Sequence, residues 1–339
     1  METVSVPADL YLTDSDRKNK TGNNKKNPIT LSDYSPKDST WTEKRLATVR
    51  IIQVLQSVGK FTRWAERMDD CANWLIYALM SCQDTGELML KLRNANLCHC
   101  RHCFVCNWRR SLMYYARFLE FLPVIASEHP NARWVFLTLT VPNMPVEELG
   151  DALTAMNKGW NKFVQRKEFR PVKGWIRTTE VTQQKNRKNY AHPHFHCLLM
   201  VPPSMLSGKN YVKQARWLEI WRECMRDDSI MDLDIRTVKG GTEKGAVELM
   251  KTLNYSLKAE DIIQTPEWLI AYFEQVHRKR FIATGGVLKD ALKRLDAETT
   301  EEMIYTADNP KPEPEQEEQE QKLFFAWDRV AMNYREKAR

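Results

Sequence analysis

Apolar positions recur with two different periods along this chain, and the change from one to the other falls near Asn131. From Trp41 to about Arg93 the spacing is helical, as in WTEKRLATVRIIQVLQSVGKFTRWAERM. A second helical stretch, WRRSLMYYARFLEFLPVIASE, follows a cysteine-rich segment. After Asn131, runs rich in β-branched and aromatic residues predict strands: RWVFLTLTV (133–141), GWIRTTEVTQQ (174–184), HPHFHCLLMV (192–201) and MDLDIRTVK (231–239). Helical patterns stand between and after them, in VEELGDALTAMNKGWNKFVQRKEF, YVKQARWLEIWRECMR and TEKGAVELMKTLNYSLKAED. The order βαββαβα predicts an α+β fold, a central antiparallel sheet with helices on one face. The second and third strands are expected to pair as a hairpin through KNRKNYA. From Pro266 to about Leu295 the pattern is helical around a TGG break.

The flanks read differently. Residues 1–40 are polar and predict a disordered arm, ahead of a helical region over 41–130 and the α+β domain over 131–295. Residues 296–322, with the tract KPEPEQEEQEQ, read as an acidic low-complexity linker. Residues 323–339 are expected to form a C-terminal amphipathic helix. There is no run of 18 apolar residues and no apolar signal-peptide core at the start, so a cytoplasmic protein without membrane contact is expected.

Charge sharpens the picture. The net charge is +7, yet residues 296–322 hold ten acidic side chains and two lysines, leaving about +15 on the rest. A basic body with an acidic segment fits nucleic-acid binding, though a solvated basic face gives the same count.

Candidate chemistry begins at AHPHFHCLLM, where His192, His194 and His196 occupy every second position. On a strand they share one face while Phe195, Cys197 and Leu199 point to the other. Imidazoles in a row suggest a metal rather than packing. Glu180, on the preceding strand, becomes a further ligand if the hairpin register brings it beside the row. Two histidines and a carboxylate leave coordination positions open, as a catalytic ion requires. Eight cysteines in a chain read as cytoplasmic are thiols or ligands rather than disulfides. Cys98, Cys100, Cys103 and Cys106 crowd into nine residues, with Cys71 upstream; a tetrahedral zinc site is expected, with His99 or His102 as possible substitutes. Arg109 and Arg110 follow directly and are candidates for DNA contact.

Five segments together resemble the initiators of plasmid rolling-circle replication within the HUH endonuclease superfamily. HPHFHCLLM resembles the His-hydrophobic-His motif, FLTLTVPN (136–143) the strand motif before it, and NYSLKAED (254–261) the nucleophile motif. RKRFIATGGVLK (278–289) resembles a segment beyond that motif, and CHCRHCFVCNWRR (98–110) the cysteine-rich element. The resemblance implies an HUH-type nuclease fold with a zinc-bearing N-terminal region whose ligands are Cys71, Cys98, Cys103 and Cys106. It implies a divalent ion, Mg²⁺ or Mn²⁺, on His194, His196 and Glu180, with His192 as an accessory ligand or substrate contact. Tyr255 would attack single-stranded origin DNA, giving a 5′-phosphotyrosine and a free 3′-OH, with Lys258 one helical turn away. Host helicase and DNA polymerase are the partners expected beyond the origin.

One position departs from the pattern. Such initiators often carry a Glu four residues before the tyrosine, where this chain has Lys251, so Glu248, Glu260 and Asp261 are the alternatives for ending the cycle. Three other readings remain open from sequence: a zinc-braced DNA-binding protein without catalysis, an HUH transposase, and a metallohydrolase that uses activated water.

Overall fold

The computed structural model describes residues 29–81, 88–184, 186–239, 266–291, 299–307, 309–314 and 320–337. In chain order its helices are α1 (Leu31–Tyr34), α2 (Ser39–Val58), α3 (Thr62–Asp70), α4 (Phe104–Glu128), α5 (Leu149–Phe163), α6 (Ser204–Ser207), α7 (Gln214–Met225), α8 (Pro266–Val276), α9 (Val287–Ala291) and α10 (Thr300–Ile304). Its strands are β1 (Trp74–Ser81), β2 (Leu88–Ala95), β3 (Arg133–Thr140), β4 (Met144–Pro145), β5 (Gly174–Gln183), β6 (Tyr190–Val201), β7 (Leu233–Val238), β8 (Ile282–Gly286), β9 (Gln321–Asp328) and β10 (Asn333–Glu336). Two compact units result, one from residues 1–109 with 299–339 and one from residues 110–298.

The second unit is an antiparallel sheet in the order β7-β3-β6-β5-β8, with β4 pairing to β6. Its register is regular along β6: Thr138 faces His196 from one side and Thr178 from the other. On the face away from the histidines, Phe195 of β6 contacts Trp160 of α5 and Trp221 of α7, and Phe163 packs edge-on or tilted against Phe169, Trp217 and Trp221. Burying these large rings removes apolar area from water and helps hold the helices to the sheet. The expectation of helices on one face holds for α5 and α7 but not for α4. Trp134, on the histidine face at the far end of β3, is covered edge-on by Phe118 of α4. An indole of that size needs cover from water, and α4 provides it. The TGG segment is also not a break within a helix: it ends strand β8, where a Cβ at Gly285 would run into the Trp175 indole and Gly286 takes φ +61° against the Lys173 carbonyl.

The first unit departs furthest from expectation. Residues 41–130 are not helical throughout, because β1 and β2 form a hairpin within them. The helix expected over 323–339 is not found in its described residues, 323–337: β9 and β10 complete a sheet in the order β10-β9-β1-β2. Leu323, Phe325 and Trp327 alternate inward along β9, a two-residue period that a helix would scatter around its axis. Ordered structure begins before residue 40, with Leu31 and Tyr34 of α1 buried. The segment 296–322 is not a simple linker either. Thr299 and Glu302 form a capping box that starts α10, Met303 and Ile304 are buried, and Glu320 forks onto Arg93 at 2.8 and 3.1 Å.

Candidate metal centres and their family

Glu180 stands directly opposite His194 across the β5–β6 hairpin. Its Oε2 meets His194 Nε2 and lies 2.6 Å from His196 Nε2. All three donor atoms fall within 4.8 Å of one another. Glu180 is buried, and each imidazole side chain is 12 % exposed. Burial works to raise the Glu180 pKa, but hydrogen bonds from the two imidazoles outweigh it and hold the carboxyl at about 2. The group is therefore an anion at any physiological pH. Thr138 Oγ1 lies 3.4 Å from His196 Nδ1; with Nε2–H turned to Glu180, the hydroxyl is placed to steady the ring through its other nitrogen. His194 Nδ1 is buried with no hydrogen bond among the described residues.

The donor set fits a divalent ion. Mg²⁺ holds oxygen ligands at about 2.0–2.1 Å, which sets neighbouring donors about 3 Å apart, so the 2.6 Å His196–Glu180 hydrogen bond would open slightly to admit the ion. A mixed imidazole and carboxylate set also suits Mn²⁺. His192 is a step removed: its ring lies 5.1 Å from that of His194, and it is not one of the three converging donors. Burial, followed by the charge of His194, lowers its pKa, so it stays neutral more readily than a free histidine.

The cysteines converge in the first unit. Cys71 closes α3, Cys98 follows β2, and Cys103 and Cys106 flank the start of α4. Their Sγ atoms are 3.5 Å apart for Cys71–Cys106 and Cys71–Cys103, and 3.6 Å for Cys98–Cys106. Tetrahedral zinc with Zn–S near 2.3 Å has sulfur–sulfur edges of about 3.8 Å, so the donors fit that ion. The alternatives lie elsewhere: His99 Nε2 is 2.9 Å from Thr300 Oγ1, His102 packs on Trp64, and Cys100 is outside the four-sulfur group. Hydrogen bonding to Cys103 pushes the Cys71 thiol well up, because thiols this close cannot all carry charge unless a cation joins them.

Arg109 is not a free DNA contact. It is buried, donates from Nε to the Met303 carbonyl at 2.7 Å and from a terminal nitrogen to the Ile304 carbonyl at 3.0 Å, and lies over the Trp41 and Trp108 rings. The two carbonyls end α10 and need donors, which is why the guanidinium is drawn inward. Arg110 is buried as well. Tyr255, Lys258 and Glu248 lie outside the described residues, as do Lys251, Glu260 and Asp261. Thr138 escaped the sequence reading, although its place in the alternating TLT of β3 marks the face it shares with the histidines.

The fold and these centres define an α+β protein with one half-open and one closed cluster of metal-ligating side chains. The family model described as "Replication protein" matches residues 89–335. A "Protein rep" of Streptococcus pneumoniae serotype 2 (strain D39) is 29% identical over 306 residues, covering 88% of this chain and 92% of that one. A "Protein rep" of Bacillus amyloliquefaciens is 32% identical over 259 residues, covering 70% and 74%. Another, of Staphylococcus aureus, is 33% identical over 228 residues, covering 66% and 94%. No solved structure matches the chain. The chain belongs to the replication-protein family, that of the plasmid rolling-circle initiators its motifs resemble. No described helix is long and apolar enough to cross a membrane.

Proposed function

We propose that this protein initiates plasmid replication by nicking single-stranded origin DNA through Tyr255, on an HUH-type nuclease fold. The observation that carries the reading is the convergence of Glu180, His194 and His196 on one face of the sheet. A divalent ion bound there would supply Lewis-acid polarisation of a phosphate oxygen. Tyr255 Oη forms a bond to phosphorus, and the bond from phosphorus to the 3′ oxygen of the preceding nucleotide breaks. The electron pair leaves with that oxygen, which takes up a proton to become a primer 3′-OH, while the phenol gives its proton to solvent or a nearby base. A phenol with an ordinary pKa near 10 is a weak nucleophile, so a base or cation must assist it. Lys258 and Glu248, on the same stretch as Tyr255, are the candidates from this chain. Exchanging one phosphate ester for another keeps the strand joinable when the cycle ends. The thiol cluster would hold zinc in a structural role, and host helicase and polymerase would act on the exposed 3′ end.

The test is a denaturing gel after incubation with end-labelled single-stranded origin DNA and Mg²⁺ or Mn²⁺. Wild type is expected to give an ion-dependent DNA–protein adduct that Tyr255→Phe and His194→Ala lack. Cleavage by Tyr255→Phe without an adduct would replace the reading with a water-using hydrolase. Binding without cleavage under either ion would leave a zinc-braced DNA-binding protein.

A further inference from the structure

The histidine row has neighbours on its own face that the proposed chemistry does not use. Tyr190 precedes His192 by two residues on β6 and shares its side of the sheet. Arg187, exposed in the hairpin turn, lies over the Tyr190 ring with its guanidinium carbon 5.0 Å from the centroid. At the other end of the row, the Phe136 ring is 5.6 Å from that of His196. Arg236, directly opposite Phe136 on the edge strand β7, covers that ring at 4.9 Å. The Arg236 side chain is 61 % exposed, and its carboxylate neighbour, Asp234, is 3.8 Å away and itself exposed.

We infer that Arg187–Tyr190 and Arg236–Phe136 are two clamps that grip one DNA strand on either side of the Glu180–His194–His196 centre. The inference rests on the nicking reading for what lies between them. A guanidinium held over an aromatic ring keeps N–H groups free to fork onto phosphate oxygens, and its planar group can also meet a base. Aromatic platforms paired with cations are how proteins hold single strands without reading sequence. A lone surface pair of this kind is commonplace, arising roughly once per 70–80 residues. Here two lie on one face of one sheet and bracket the metal-ligating row. Tyr190 and Leu198, the β6 residue beside Phe136, are eight positions apart, or about 27 Å at ~3.4 Å per residue. At the ~3.4 Å rise of a stacked strand that is about eight nucleotides, and fewer where the strand is extended. Positioning, not chemistry, is the role assigned to all four residues.

The test is fluorescence anisotropy of the full chain with labelled single-stranded oligonucleotides of graded length, without added divalent ion, across a salt series. Arg187→Ala and Arg236→Ala should each weaken binding roughly fivefold or more. Each should lower the slope of log affinity against log salt by about 0.7. Arg236→Lys should recover the slope but only part of the affinity, since it keeps the charge and loses the planar guanidinium. Wild-type affinity should climb with oligonucleotide length until both clamps are spanned. Unchanged affinity and salt slope in both alanine variants would overturn the clamps. Because binding is read without the ion, an absence of nicking by the wild type would sink the nicking reading and leave this result standing. Wild-type binding by both variants, beside normal nicking, would remove the clamps alone.

Discussion

Glu180 faces His194 across a regular β-hairpin, fourteen residues away along the chain, and its carboxylate oxygen meets the imidazole Nε2. Removing that carboxylate takes away the only anion among the three converging donors. Glu180→Gln should weaken divalent-ion binding at least 100-fold, since even outer-shell losses cost 10- to 100-fold. Isothermal titration with Mn²⁺ reads this directly, and wild-type affinity in the variant would remove Glu180 from the centre.

The same carboxyl gives a pH signature in the ion-free protein. Its pKa in the folded state, about 2, lies below the ordinary Glu value of about 4.3 in an unfolded chain. Its contribution to stability is thus fully present above that ordinary value and disappears as pH falls towards 2. Urea midpoints at pH 5, 4 and 3 should drop faster for wild type than for Glu180→Gln. Parallel curves would mean that the imidazole hydrogen bonds do not hold the carboxyl down.

For the thiol cluster, purified protein should carry one zinc per chain by elemental analysis, and Cys106→Ser should carry far less. A strong chelator should lower the melting temperature of wild type and leave that of Cys106→Ser nearly unmoved, because metal affinity at such a site is folding energy. A metal-free wild type with an unaltered melt would make the cluster a set of packed thiols.

Arg109→Ala should cost about 2–4 kcal/mol of stability, since it strands the Met303 and Ile304 carbonyls and removes two ring contacts. Per folded molecule, its DNA affinity should match wild type. A selective loss of DNA binding with unchanged urea stability would return Arg109 to the DNA surface.

Gly286→Ala should destabilise by more than ~1 kcal/mol. The position has φ +61°, and a Cβ would run into the Lys173 carbonyl. Chemical denaturation checks it, and a neutral result would mean that the turn between β8 and α9 rearranges freely.

What the sequence made legible follows from which constraints are local. The β5–β6 hairpin has strict alternation, a short polar turn and no bulge, so the face shared by Glu180, His194 and His196 could be read from spacing once a register was assumed. The bounds of β3 and α7 were close to their hydrophobic patterns for the same reason, while α5 ends at Phe163, six residues before its pattern does. Strands β1 and β9 were not legible, because WLIYALMS and LFFAWD are short apolar runs that suit a buried helix turn or a strand equally. Their partners are distant: Leu75 pairs with Phe325. The acidic tract hid α10 and the Arg93–Glu320 pair, since composition reports solvation and not the one carboxylate that finds a buried arginine. Arg109 misled for the converse reason. A basic residue next to a cysteine cluster looks like a DNA contact until two helix-end carbonyls elsewhere in the chain are seen to need it.

The pairing of β9 with β1 also imposes an order in time. Roughly 240 residues separate Ser81 from Gln321, so at 5–20 residues per second a ribosome needs on the order of 12–50 s to deliver the second strand after the first. During that interval the edge of β1 waits uncovered, while Cys71, Cys98, Cys103 and Cys106 have all emerged by the start of α4. A metal bound by those thiols would hold the early hairpin in place until translation reaches β9, and a message broken off before that point yields a chain whose first unit lacks its central pairing.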